Sequence, residues 1–113
     1  MLNKLEAVFF QTENGVEPVR DWLRELNKPD KLIIGEDIRT VQYGWPLGMP
    51  LVRNLGKGLW EIRSTLSSNR IARIIFFMDK DTMVLVNGFI KKTQATPKQE
   101  LELAIKRKKQ YLN

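Results

Sequence analysis

Apolar positions along the chain change period twice, and the changes divide it into elements. Leu5 to Phe10 is a short apolar run that predicts a first strand, closed by the turn-forming pair Asn14-Gly15. Val19, Trp22, Leu23 and Leu26 then fall at i, i+3, i+4 and i+7, one stripe of a helix whose first turn holds Pro18. Asn27-Lys28-Pro29 reads as a stop and restart. Ile34, Ile38 and Val41 mark the inward face of a second helix that ends before Gly44-Trp45-Pro46. Two helices joined so closely predict a hairpin.

From Met49 the period becomes strand-like, with strands expected at 50–55, 59–66, 70–78 and 82–90. Gly56-Lys57-Gly58, Ser67-Ser68-Asn69 and Asp79-Lys80-Asp81 supply three short turns, which imply an antiparallel meander. Asp79 and Asp81 are read as turn residues, because a lone Asp-x-Asp lacks the further ligands of a hard-metal site. Thr96-Pro97-Lys98-Gln99 has capping-box spacing, so a last helix should run from about 97 to near the end, with Leu101, Ala104, Ile105 and Leu112 toward the sheet. The expected order is β-α-α-β-β-β-β-α. That is a single α+β domain over 1–113, with a mostly antiparallel sheet, an N-terminal helical hairpin and a C-terminal helix packed on it.

Strand alternation assigns faces. Along 59–66, Leu59, Glu61, Arg63 and Thr65 share one side and Trp60, Ile62, Ser64 and Leu66 the other. The next strand puts Arg73 in line with Ile71, Ile75 and Phe77, where a charge among apolar neighbours requires a partner. The last strand leaves through Lys91-Lys92, one of which should reach the surface near Arg73. Trp22 and Trp60 sit at core spacing, while Trp45 is expected in a loop that caps the core.

Charge sharpens this picture. The net charge is +6, but residues 1–50 carry six basic against eight acidic side chains, and residues 51–113 carry 13 against five. A polyanion is therefore expected on the second half. Cysteine and histidine are absent, which removes disulfides, thiolate chemistry, the usual soft metal ligands and the usual neutral-pH proton shuttle. The apolar patch before Phe10 is too short for a signal-peptide core and no stretch approaches a membrane span, so a cytoplasmic setting is expected.

Fixed cations without soft metal ligands suit RNA cleavage by its own 2′-hydroxyl, since negative charge builds on the phosphate. Arg63, Arg70 and Arg73 are candidates for holding that charge. Lys57, Lys91, Lys92, Glu61 and Tyr111 are candidates for moving protons, with no cofactor required. Arg53, Lys57, Arg70, Arg107, Lys108 and Tyr111 are further candidates for contact with RNA. Competing readings stand beside these. Arg63 or Arg73 would form an ordinary ion pair with Glu61, and Lys106-Arg107-Lys108-Lys109 would complement the negative end of its helix.

Four segments together resemble the RelE/ParE toxins of bacterial toxin–antitoxin modules, and more closely their HigB-like, often phage-associated branch. These are Gly58-Leu59-Trp60-Glu61-Ile62-Arg63, Arg70-Ile71-Ala72-Arg73-Ile74, Leu85 to Lys92, and Thr96-Pro97 opening a helix with Ala104 and Arg107. The resemblance spans about residues 55–110. It implies a RelE-like fold, ribosome-associated cleavage of messenger RNA, growth arrest, and neutralisation in an oligomeric complex by a helix-turn-helix, HigA-like antitoxin. It further implies that Arg63, Arg73 and the lysines after Phe89 line the RNA site. Because the fold also hosts ParE-type poisons of DNA gyrase, a gyrase target is the alternative. An acidic antitoxin segment covering the basic face is expected from the charge distribution.

Overall fold

A computed structural model describes residues 4–91 and 95–113. The element order is β1 (Glu6–Phe9), α1 (Pro18–Arg24), α2 (Lys28–Gly44), β2 (Val52–Gly56), β3 (Leu59–Thr65), β4 (Ile71–Asp79), β5 (Thr82–Lys91) and α3 (Lys98–Leu112). The strands form one sheet in the order β1-β5-β4-β3-β2; β2 to β5 are a meander, and β1 joins the edge parallel to β5. The expected β-α-α-β-β-β-β-α order and mostly antiparallel sheet are both present.

The turns explain why the meander forms where it does. Gly56, Lys57 and Gly58 all have positive φ, and glycine at two of the three positions makes that bend accessible. Between the helices, the Asn27 side chain accepts from the Asp30 amide at 2.9 Å and Pro29 lies in the first turn, so the stop-and-restart signal becomes a helix cap.

Both faces of the sheet are covered. On one, α1 lies over β5 and β1 and α2 lies over β3, burying Val19, Ile34, Val41, Ile62, Ile74, Phe76, Met83 and Leu85. Trp45 stands edge-on to Trp60 and Phe76, with ring centroids 5.1 and 5.5 Å away, and closes this core as expected of it. On the other face α3 buries Leu59, Ile75, Phe77, Val84, Val86 and Phe89 around Ala104. Leu112 does not join them: it is 59% exposed, while Tyr111 before it packs on Phe77 of β4.

Two further features bear on the site, the first a departure from the sequence reading. α3 begins with Pro97 as its N-cap and no side-chain cap bond, so Thr96 does not complete a capping box; its hydroxyl is donated elsewhere. In β5 the register shifts between Ile75 and Phe76, leaving Val86 as an extra residue. Strict alternation from Met83 and Leu85 would put Asn87 on their face. The bulge turns it toward α3, where its amide donates to the Glu100 carbonyl at 3.0 Å. No helix among the described residues is long and apolar enough to cross a membrane.

Trp22 of α1 lies on Gly88 of β5 so closely that a Cβ there would come within 2.6 Å of its ring. Gly88→Ala should therefore destabilise the fold by about 1–3 kcal/mol through overpacking. Urea unfolding is the check: the midpoint falls with an unchanged m-value, and an unchanged midpoint would contradict the packing.

Candidate functional site

The face of the sheet under α3 divides into two ends of opposite chemistry. At the end formed by the β2–β3 and β4–β5 turns, α3 is tied down. Lys108 donates to the Lys57 carbonyl at 2.8 Å, and Tyr111 donates to Asp79 Oδ2 at 3.0 Å while standing edge-on to Phe77. Arg107 donates to the Val86 carbonyl at 2.7 Å, and burial pulls its pKa below the ordinary value, with Glu100 opposing. Of the residues expected to meet RNA, Arg107, Lys108 and Tyr111 thus tie the helix to the sheet through their side chains, and Lys57 takes part through its backbone carbonyl.

At the other end α3 has not yet begun, and the sheet face carries charge. β2 brings Arg53 opposite Glu61 of β3, and β4 brings Arg73 opposite Arg63. β5 brings Phe89 opposite Arg73 and, two residues on, Lys91 opposite Ile71. Directly opposed residues of antiparallel strands point the same way, so Arg53, Glu61, Arg63, Arg73 and Lys91 share one face. The alternation read from the sequence placed Glu61 with Arg63, and Arg73 with Ile75 and Phe77, as the strands do.

Depth separates these residues. Glu61 and Arg73 are fully buried, Arg53 and Arg63 are half-buried, and Lys91 is exposed. The segment leading into α3 crosses above the buried two. Arg73 Nη1 donates to the Ala95 carbonyl at 2.7 Å, and the Thr96 hydroxyl donates to Glu61 Oε2 at 2.8 Å. Glu61 Oε1 has no hydrogen-bond partner among the described residues. Burial lowers the Arg73 pKa; Glu61 opposes that shift, and Arg63 and Arg53 add to it by repulsion. Arginine stays protonated regardless, so Arg73 is a permanent buried cation. Of the two roles open to it in the sequence, the buried position beside Glu61 suits a fixed support better than direct contact with a ligand.

Arg70 lies elsewhere. It grips Asp30 at the start of α2 through both terminal nitrogens, at 2.8 and 3.1 Å, and donates through Nε to the Ser67 carbonyl at 3.1 Å. Those bonds to Asp30 hold its pKa above the ordinary value. It locks the β3–β4 turn to α2 and stands apart from the row of cations. Lys92 lies outside the described residues. Among the described residues no three acidic side chains gather into a cation site.

Thr96, Asn87 and Ala95 took no part in the sequence reading of the site. Thr96 and Ala95 carry no chemical signal of their own, since each acts through where the chain crosses the sheet.

At the tied-down end, the Asp79 hydrogen bond, aided by burial and by the Asp79 charge, raises the Tyr111 pKa above the ordinary phenol value. A raised pKa means the neutral phenol is favoured by folding. The stabilisation is complete below the unfolded-state value of about 10 and is lost as pH rises through the folded one. Subtracting the ultraviolet phenolate titration of Tyr111→Phe from that of the unsubstituted protein should give a midpoint above the ordinary value; a midpoint below it would break the link between α3 and Asp79.

A family model described as "Phage derived protein Gp49-like (DUF891)" matches residues 21–109, which include α2, the meander, the row of cations and most of α3. No curated protein matches the chain at a significant level.

Proposed function

Because the chain belongs to the Gp49-like family, which is part of the RelE/HigB-like toxin superfamily, we propose that it is the toxin of a toxin–antitoxin module. It acts in the cytoplasm as a messenger-RNA endoribonuclease on translated messages. The observation that carries this reading is the pairing of Arg63 with Arg73 on one sheet face, with Arg53 and Lys91 beside them. Like charges directly opposed on neighbouring strands are destabilising on their own, and a bound phosphate would favour such a pair.

In the reaction, the half-buried Arg53 and Arg63 hold the non-bridging oxygens of the scissile phosphate, where negative charge builds. Arg73 and Glu61, beneath them, fix their positions. The 2′-hydroxyl gives its proton to solvent water as its oxygen bonds to phosphorus and the bond to the 5′-oxygen breaks, leaving a 2′,3′-cyclic phosphate and a 5′-hydroxyl. Of the proton-transfer candidates, Glu61 is buried under Thr96, and Lys57 and Tyr111 lie at the tied-down end. Lys91 alone among the described ones is exposed beside the row, and it supplies the proton to the departing 5′-oxygen. The partner is a helix-turn-helix antitoxin whose acidic segment covers the cations, which both neutralises them and excludes RNA.

Induction in a bacterial host without antitoxin should produce new 5′-hydroxyl ends within translated regions. Arg63→Ala, folded normally, should reduce their formation roughly 100-fold or more, the scale of removing one charge-stabilising donor. Growth arrest with intact messages would transfer the target to DNA gyrase, and 5′-phosphate ends would overturn the 2′-hydroxyl mechanism.

A further inference from the structure

Arg63 belongs to a second feature besides the row of cations. It lines an open cleft of about 340 Å³ together with Thr65, with Pro50 and Leu51 just ahead of β2, and with Ile33 and Asp37 of α2. The cleft forms because β2 starts only at Val52. Residues 50–51 run beside the end of β3 and join it through the Arg63 amide, which donates to the Leu51 carbonyl at 2.8 Å. α2 closes the remaining side.

Its lining is chemically uneven. Ile33, Pro50 and Leu51 give apolar walls, Arg63 brings a cation at the rim nearest the sheet, and Asp37 contributes a carboxylate. Asp37 is half-buried and makes no hydrogen bond or ion pair among the described residues. A carboxylate at the border of a polyanion site would repel phosphate, and no hydrogen bond or ion pair among the described residues holds it there. It is an acceptor-only group, so its natural counterpart is a ligand edge bearing two adjacent donors.

From these observations we infer that the cleft is a base-recognition subsite for guanine in single-stranded RNA, with Asp37 as its specificity-determining residue. The inference rests on the phosphate site proposed above. Guanine alone among the four RNA bases presents two neighbouring donors, N1–H and the 2-amino group, on its pairing edge. Adenine and cytosine set an acceptor next to their single amino group, and uracil flanks its one N–H with two acceptors; a carboxylate repels each of those acceptors. The apolar walls take the faces of the ring, and Arg63 takes the phosphate attached to the same nucleotide. A cleft of this size is at the small end of ligand pockets, which suits one base. Unpaired bases are read in this way, by stacking and by their pairing edges.

Nucleoside 3′-monophosphates are the probes, titrated against the full chain and followed by NMR shifts of the Arg63 and Asp37 signals. Guanosine monophosphate should bind roughly 5- to 150-fold more tightly than the adenosine, cytidine and uridine compounds, the span of one good bidentate base contact. Inosine monophosphate, which lacks the 2-amino group, should fall between them. Asp37→Asn should remove the preference while leaving the phosphate-dependent Arg63 shift in place; Arg63→Ala should weaken all four alike. Equal binding of the four bases with the Arg63 shift intact overturns the guanine subsite and leaves the phosphate site standing. No shift of Arg63 with any of them overturns the phosphate site itself, and the inference with it.

Discussion

The arrangement depends on one buried carboxylate. Glu61 is fully enclosed, its neighbour across the sheet is Arg53, and Arg63 and Arg73 face each other one step further along. Burying Arg73 without an opposite charge nearby would be costly, and Glu61 on the same face opposes the lowering of its pKa by burial. A carboxylate removed from water is itself unfavourable, so neither charge is tolerable alone. Together they create a rigid floor on which two partly exposed arginines can stand. The floor is closed by Thr96 and Ala95, which bind Glu61 and Arg73 as the chain passes toward α3.

The rest of the fold sets the boundaries of that end of the sheet. Helices α1 and α2 occupy the far face, where Ile34, Ile62, Ile74 and Phe76 make an apolar core that needs no charge. α3 is tied to the near face by Lys108, Tyr111 and Arg107 toward its C-terminal end and by the Asn87 bond to the Glu100 carbonyl in its first turn. Basic residues thus differ in setting: Arg107, Lys108 and Arg70 tie elements of the fold together, while Arg53, Arg63 and Arg73 share one sheet face. Net charge does not reveal that difference, because Arg107 and Arg63 count equally in it.

The element order was legible because turns and helix stops are written in short, local signals. Asn27-Lys28-Pro29 and Gly56-Lys57-Gly58 each fix a backbone bend without help from distant residues. Faces along β3 and β4 were legible for the same reason, alternation being a local property. Partners were not. Arg70 has the same neighbours in sequence as a surface arginine, and only the packing of α2 brings Asp30 to it. Thr96 resembled a helix cap because capping residues and hydroxyl donors to a carboxylate are the same residue type. Asn87 required a bulge that alternation cannot announce, Leu112 follows the helical stripe and yet stays exposed, and Asp37 reads as an ordinary helix carboxylate until residues 50–51 arrive beside it.

The central claim is that Arg53 and Arg63 bind a phosphate while Arg70 and Arg107 hold the fold. Nitrogen NMR of the arginine side chains, recorded as the protein is titrated with a short RNA whose 2′-hydroxyls are replaced by hydrogen, tests it most directly. The account predicts that the Arg53 and Arg63 Nε–H signals move with saturable, salt-sensitive binding while those of Arg70 and Arg107 stay in place. Movement of Arg70 or Arg107 with Arg53 and Arg63 unchanged would contradict it.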